Sequence, residues 1–563
     1  MTTGINGGKA VYETLKSAGV DTVFGLLGGS MLELYDAMHE GGEIRYIGAR
    51  DERAAGHMAD AYARMTGGPG IVLGAQAGPG VVNLVTAVAE AHLAYSPLVV
   101  IAGAISRKDL YKDTFQELDQ VALFQPICKR SMLVTESSRL SEMLRDAIRL
   151  AMSGRRGPVV LHVPRDIFAA TVPEPNTPPI RIGRAGGPRP EDVEKIHEIL
   201  SEAKRPVIVA GGGFKWSAGA ESLVKLSETL SVPVVASTGH ADVMPHGHPL
   251  FAGQGGPRGN AVASGLTRNA DVILVLGARL AFNSTFFSSD YISATARIIH
   301  VDIEASAIGR YFPVDLAIQA DAQASADAII GAGKWTEVRS RWSAWIDTFK
   351  ADMAALREER ATEANDMSAP MHPRRALGDI REALPENAVV TLDTGNACLN
   401  AADRLAHYRT PGLITPLDFG LVGFGYAAAL GAQAAAPDRP VISIMGDGGF
   451  GFTMTEITTA VRYDLPVVAV VLDNGAWGAE KAYQSEFFGG RLLGAEIDSP
   501  PYDQVARLCG ADGFAVEAAG ELGGALTTAI ANRRPAVIHV KIDPSALNTL
   551  RKDLFAKPAG ADK

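Results

Sequence analysis

Asp447 sits between Gly446 and Gly448 at the end of the apolar run VISIM, and Asn474 closes the next apolar run, VVAVVLDN. Twenty-five residues separate Gly448 from Asn474, room for one crossover helix returning to a neighbouring parallel strand. Asp447 and Asn474 are therefore expected side by side at the carboxyl edge of one sheet, where open α/β sheets bind ligands. Glycines on both sides of Asp447, with Gly449 following, let phosphate oxygens approach the backbone at a helix N-terminus. A carboxylate, an amide oxygen and the Ala476 carbonyl suit a hard cation that also grips two phosphate oxygens. Gly-Asp-Gly alone is only a turn in many proteins, and the spacing to Asn474 is what gives it weight.

A second candidate lies far away in sequence. GARDERAAGHMADAYARMTG follows the strand-like IRYI, and Glu52 opens an Ala-rich helix in which Ala55, Ala59 and Tyr62 recur at helical spacing and mark a tightly packed face. Taken alone, a Glu at that position reads as a first-turn partner of the helix dipole.

The elements that must hold these residues are short Val/Ile/Leu runs alternating with helical patterns, among them 70–73, 98–102, 159–163, 207–210, 272–276, 298–301, 441–445 and 467–472. Runs apolar on both faces and separated by helices predict parallel sheets covered on each side, an α/β class of three doubly wound domains. The segments PGIVLGAQAGPGVVNLVTAVAEAHLAYSPLVVIAGA and RPVISIMGDGGFGFTMTEITTAVRYDLPVVAVVLDNG both read as strand, Gly-rich turn, helix, strand, and point to an internal duplication. Pro- and Gly-rich residues 171–190 and the polar stretch 362–373 read as linkers. The expected domains are 1–170, 190–345 and 370–545, with a charged helical connection from Trp335 to about Arg360 and a tail, 546–563, that reads as mobile.

A chain of 563 residues at 47% hydrophobic can bury several cores, and its net charge of -10 without long charge runs excludes the electrostatic footprint of a nucleic-acid or anionic-membrane partner. A small-molecule substrate is expected instead. Cys128, Cys398 and Cys509 are far apart and odd in number, which fits neither a disulfide framework nor a zinc site but a reducing cytoplasm. The N-terminal residues lack a basic stretch followed by an apolar one, and the longest apolar runs are strand-sized, so no membrane span or leader is expected.

The run GDGGFGFTMTEITTAVRYDLPVVAVVLDN resembles the thiamine diphosphate motif shared by acetolactate synthases, pyruvate decarboxylases and their relatives. The resemblance implies a thiamine diphosphate- and Mg²⁺-dependent enzyme that makes or breaks a carbon-carbon bond next to a carbonyl, with Asp447, Asn474 and the Ala476 carbonyl on the metal. The family motif has two consecutive Asn where this chain has Asp473-Asn474; the second is the ligand, so metal binding is expected to survive. The resemblance also gives Glu52 the role of sharing a proton with the aminopyrimidine ring, which promotes the tautomer that activates the cofactor. Asp51 stands where many relatives have His. DTGNACL (393–399) resembles the segment that touches the diphosphate and nominates Gly395 and Asn396, and DFGLVGFGY places Val422 beneath the bent cofactor. LLGGS, with Gly28 and Gly29, and AGPGVVN match loops around the pyrimidine, while Phe115 and Gln116 match a segment facing substrate.

The middle segments AGGGF, LGARL and HVDIEASAIGR resemble those that relatives use for FAD, for ADP or CoA, or for nothing. NGAWGAEK followed by Gln484 resembles sulfoacetaldehyde acetyltransferases, whereas VFGLLGGS, TFQELDQ and IGRYFPVDL look closer to acetolactate synthases. Glu480 is a candidate proton relay and Lys481 a candidate anion attractor beside Trp477. The expected activity is an acetolactate synthase-like carboligase or lyase, with sulfoacetaldehyde acetyltransferase, and 2-hydroxyacyl-CoA lyase or oxalyl-CoA decarboxylase, as alternatives. Relatives join the two halves of the site across a subunit interface, which implies a homodimer or homotetramer.

Overall fold

The computed structural model describes residues 4–175, 178–333, 335–396, 398, 401–416 and 418–551. The expected tail beyond 551 and Ala397 and Leu399 of the DTGNACL segment lie outside the described residues. Three six-stranded sheets are parallel throughout, which bears out the α/β class. Strands such as Leu98–Ala104 and Val468–Asp473 are buried along their whole length, as continuous apolar runs between two helical layers must be. Two compact units form: Met1–Arg184 with Pro416–Arg439 and Thr453–Val467, and Ala185–Thr415 with Pro440–Phe452 and Val468–Lys563.

In the first unit the strands lie in the order Arg45–Gly48, Thr22–Leu26, Gly70–Gly74, Leu98–Ala104, Val159–Pro164, Arg130–Leu133, which counted along the chain is 2-1-3-4-6-5. Helix Glu52–Thr66 runs through this unit almost wholly buried, because its face of Ala54, Ala55, Ala59, Ala61 and Ala63 allows neighbours to approach closely. Helix Gly425–Ala435 packs on it so tightly that a Cβ on Gly431 would lie 1.9 Å from the Met58 carbonyl oxygen.

The second unit holds two sheets. One has the order Phe251–Gln254, Val234–Ala236, Pro206–Ala210, Val272–Leu276, Arg297–Asp302, Leu316–Gln319, or 3-2-1-4-5-6, the order of dinucleotide-binding folds. The other runs Leu413–Ile414, Val389–Leu392, Val441–Gly446, Val468–Asp473, Ala536–Lys541, Asp512–Val516, again 2-1-3-4-6-5. The two look-alike segments thus form the third and fourth strands of sheets with one topology, as a duplication requires.

The link from Val441–Gly446 to Val468–Asp473 is not one helix. It breaks into Asp447–Gly451, a 3-10 turn Met454–Glu456 and Ile457–Arg462, since Gly448, Gly449 and Gly451 are poor helix formers and Thr453 adopts φ -131°. Helix Ser343–Ala364 continues beyond its expected end near Arg360. Among the described residues, no helix is long and apolar enough to cross a membrane.

Candidate active site

In the second unit, parallel pairing of Val441–Gly446 with Val468–Asp473 matches Gly446 to Leu472, so Asp447 and Asn474 leave the same sheet edge on adjacent strands. Asp447 is 1% exposed. Its carboxylate accepts a hydrogen bond from Ser499 Oγ at 2.7 Å, and its carbonyl accepts one from the Tyr502 hydroxyl at 2.8 Å. Burial pushes the Asp447 carboxyl up to about 6, the Ser499 hydroxyl opposing and the Asp473 carboxylate adding to the push. Asn474 turns its Oδ1 toward the Ala476 N–H at 3.2 Å. Trp477 N–H bonds to Ala495 and Ile497 N–H to Gly475, and among the described residues no backbone N–H is directed at the Ala476 carbonyl.

Asp473 has a separate task. Burial opposes its ionisation, but His539 Nε2 at 2.7 Å, the Lys541 ammonium and the Gly475 N–H at 2.8 Å bind the carboxylate and hold it well below its usual range. Asp473, which stands where the motif it resembles has Asn, is thus bonded to the neighbouring strand Ala536–Lys541.

Gly448 lies against the Trp477 ring, where a Cβ would come within 2.6 Å. A Cβ on Gly478 would meet Asn474 Nδ2 at 2.9 Å and Asn396 Cβ at 3.1 Å, so the 393–396 segment converges on the Asn474 turn. Asn396 Nδ2 donates to the Asn548 carbonyl at 2.6 Å and its Oδ1 accepts the Asn548 N–H at 3.1 Å. Arg551 N–H reaches the Tyr483 hydroxyl at 3.3 Å, so the start of the expected tail is held on this unit. Gly395 and Asn396 are half-buried, and Gly446 and Gly449 flank the Asp447 turn. Lys481 pairs with Glu496 at 3.1 Å, while Glu480 is exposed on helix Gly478–Phe487.

In the first unit, Asp51 caps helix Glu52–Thr66 by accepting the Arg53 N–H, which leaves Glu52 at the first helical position. Glu52 is only 6% exposed, and its Oε2 accepts a hydrogen bond from Asn83 Nδ2 at 2.9 Å. That burial and partner set it apart from a surface dipole residue. Gly28 passes so close to the loop after Gly70–Gly74 that a Cβ would lie 2.6 Å from Gln76 N, and Gly29 N–H donates to Gln76 Oε1 at 2.9 Å. Gln76 Nε2 donates in turn to Gln116 Oε1 at 2.6 Å, and Gln116 sits at φ +66°. Phe115 is 84% exposed, and Val422 is half-buried in the turn before helix Gly425–Ala435.

Sequence reading nominated Glu52 and the AGPGVVN loop, whose last residue, Asn83, holds it, but missed Gln76, which holds the Gly28–Gly29 turn. Gln76 stands one residue before that loop, where only its nearness to the glycines could have marked it. Sequence reading also missed Ser499 and Tyr502, far along the chain from Asp447. In the middle sheet the glycines of AGGGF serve packing: Cβ atoms on Gly211 and Gly213 would meet Gly277 O at 2.5 Å and Gly277 Cα at 2.7 Å.

A buried carboxylate and an amide at the carboxyl edge of a parallel α/β sheet stand where such sheets bind ligands. The chain belongs to the thiamine pyrophosphate enzyme family: residues 5–123 match its N-terminal TPP binding domain, 193–329 its central domain and 393–540 its C-terminal TPP binding domain. It is 33% identical to a sulfoacetaldehyde acetyltransferase of Castellaniella defragrans over 98% of this chain and 95% of that one. Identity to a probable acetolactate synthase large subunit of Methanococcus aeolicus is 31%, over 96% and 93%. The protein is thus a thiamine diphosphate-dependent enzyme of transferase or lyase type.

Among the described residues, no group of three or more His, Cys, Asp and Glu is placed to hold a metal. The candidate donor set has one carboxylate beside an amide and a carbonyl. All three donors are oxygens and one is anionic, a set that suits a hard cation such as Mg²⁺ shared with a diphosphate.

Proposed function

We propose that this enzyme depends on Mg²⁺ and is a carboligase or lyase of the acetolactate synthase type acting on small 2-oxo or 2-hydroxy acids. The observation that carries the reading is the pairing of Val441–Gly446 with Val468–Asp473, which supports Asp447, Asn474 and the Ala476 carbonyl as Mg²⁺ ligands. Gly395, Asn396, Gly446, Gly448 and Gly449 would line the diphosphate, and Gly28, Gly29, Val422 and Glu52 the rings. When bound, thiamine diphosphate supplies a ring carbon nucleophile that adds to a carbonyl and accepts the electrons of a breaking carbon-carbon bond. Glu52, held by Asn83, shares a proton with the aminopyrimidine ring nitrogen. Gln116, in the strained loop beside Gln76, contacts substrate, and exposed Glu480 relays a proton. The enzyme works in the cytoplasm as a homodimer or homotetramer.

Acetyl transfer from sulfoacetaldehyde is the second reading, favoured by relatives of that name at 33% and 32% identity over 98% of the chain and by the 475–484 segment. The test incubates purified enzyme, thiamine diphosphate and Mg²⁺ with pyruvate, or with sulfoacetaldehyde and inorganic phosphate as the acetyl acceptor, sulfite being the leaving group, and follows each by NMR. Cofactor-dependent consumption of pyruvate with carbon-carbon bond formation is expected; consumption of sulfoacetaldehyde alone would replace the first reading with the second, and consumption of neither would overturn both. Light scattering of the active enzyme as a monomer would refute the assembly.

A further inference from the structure

Gln120 is 5% exposed at the start of helix Gln120–Phe124, yet its amide reaches the loop that cradles Glu52. Its Oε1 lies 2.7 Å from Gly78 N, and its Nε2 lies 3.0 Å from Gly103 O and 3.2 Å from His162 Nδ1. The N–H of Gly78 can only donate and the carbonyl of Gly103 can only accept, so the amide has one orientation. Its second N–H must then go to His162 Nδ1, which accepts and carries no proton. The imidazole proton therefore sits on Nε2 and is donated to Ser131 Oγ at 3.0 Å. Burial, opposed by Asp119, lowers His162 to about 4, which agrees with this neutral ring.

The relay ends on the turn that matters most for Glu52. Gly78 adopts φ +71°, and a Cβ there would lie 2.6 Å from the Gln116 carbonyl. Helix Pro79–Val82 follows at once; Gly80 within it lies under Glu52 Oε1, and Asn83 just beyond it donates to Glu52 Oε2 at 2.9 Å. A shift at Gly78 is thus carried rigidly to both contacts of the carboxylate.

We propose that Gln120, oriented by His162 and Ser131, is a positioning residue for Glu52: it anchors Gly78 and so sets where Gly80 and Asn83 hold the carboxylate. The inference rests on Glu52 being the activating group. It is tested on the full-length enzyme with Gln120→Leu, Ser131→Ala and, as control, Glu52→Gln. Three quantities are measured: cofactor C2 hydrogen-deuterium exchange, affinity for thiamine diphosphate with Mg²⁺, and the His162 tautomer by NMR of ¹³C-labelled histidine without cofactor.

Gln120→Leu should slow exchange by about tenfold or more while affinity stays within about threefold, since misplacement by a fraction of an ångström affects rate and the metal end is untouched. Ser131→Ala should slow exchange by roughly twofold or more by releasing the ring. The wild-type ring should be neutral with its proton on Nε2, a result that stands even if Gln120→Leu does not fold. A proton on Nδ1, or wild-type exchange in Ser131→Ala or in folded Gln120→Leu, would overturn the relay. Wild-type exchange in Glu52→Gln would instead remove Glu52 from activation, and so distinguishes the two failures.

Discussion

Replacing Gly80 by Ala is the smallest change that strikes Glu52 without touching it chemically. The new Cβ would lie 2.9 Å from Glu52 Oε1, 3.7 Å from its Cδ and 2.9 Å from Gln76 Cβ, where ordinary contacts are 3.4–4 Å. The carboxylate is the end of a flexible side chain, so it yields first, withdrawing by about half an ångström and stretching its bond to Asn83 Nδ2. Folding should lose about 1–3 kcal/mol, because the carboxylate can withdraw but Gln76 Cβ, next to the backbone, can yield only by a shift of its loop. Displacement of a proton-sharing group on that scale should slow C2 exchange by about ten- to hundredfold, or about 1.4 to 2.8 kcal/mol of barrier. The assay pairs NMR of the exchange with a calorimetric cofactor titration. A folded Gly80→Ala enzyme that binds cofactor normally and exchanges at the wild-type rate would refute the claim that this contact holds an activating carboxylate.

Asp447→Ala should abolish Mg²⁺-dependent binding of thiamine diphosphate, since the anionic ligand is lost; unchanged calorimetric affinity would remove Asp447 from the metal. In Gly431→Ala the Cβ meets Met58 backbone at 1.9 Å, which neither helix can relieve by a side-chain turn, so thermal melts should show a loss beyond about 1–3 kcal/mol of usual overpacking. Burial pushes the Glu456 carboxyl up to about 7 against bonds from the Thr459 hydroxyl and the Arg50 N–H. The folded chain keeps a proton that the unfolded chain gives up near 4.5, so stability falls as pH rises through that window, by up to about 3 kcal/mol. Glu456→Gln can accept from Arg50 and donate to Thr459 at every pH. It should therefore match wild type in denaturant melts at pH 4 and exceed it at pH 8, and equal stability at both would refute the shift.

The parallel α/β class was legible because strands buried on both faces must be apolar throughout, as in VVAVVLDN and LVVIAGA, and a parallel return needs a helix between them. The same regularity exposed the duplication and the Asp447–Asn474 pair, since strand length and crossover length together determine which residues leave one sheet edge. The break of the helix after Asp447 was less legible, because weak propensity of Gly448, Gly449 and Gly451 acts only when tertiary packing does not override it.

The residues around these candidates were decided by tertiary structure. Glu52 in a helix's first turn reads identically whether it faces water or a buried Asn, and only the approach of the 76–83 loop makes it the latter. Asp473 in place of Asn is a bare substitution until strand Ala536–Lys541 brings His539 and Lys541 beside it. Gln120, His162 and Ser131 carry no local pattern, being spread over separate elements whose neighbourhood is set by the 2-1-3-4-6-5 strand order. Amino-acid order determined the periodic elements and the edge from which the metal candidates emerge, because those follow from spacing along one chain. Partners from distant segments were settled only by folding, because a hydrogen bond depends on position in space and leaves no period in sequence.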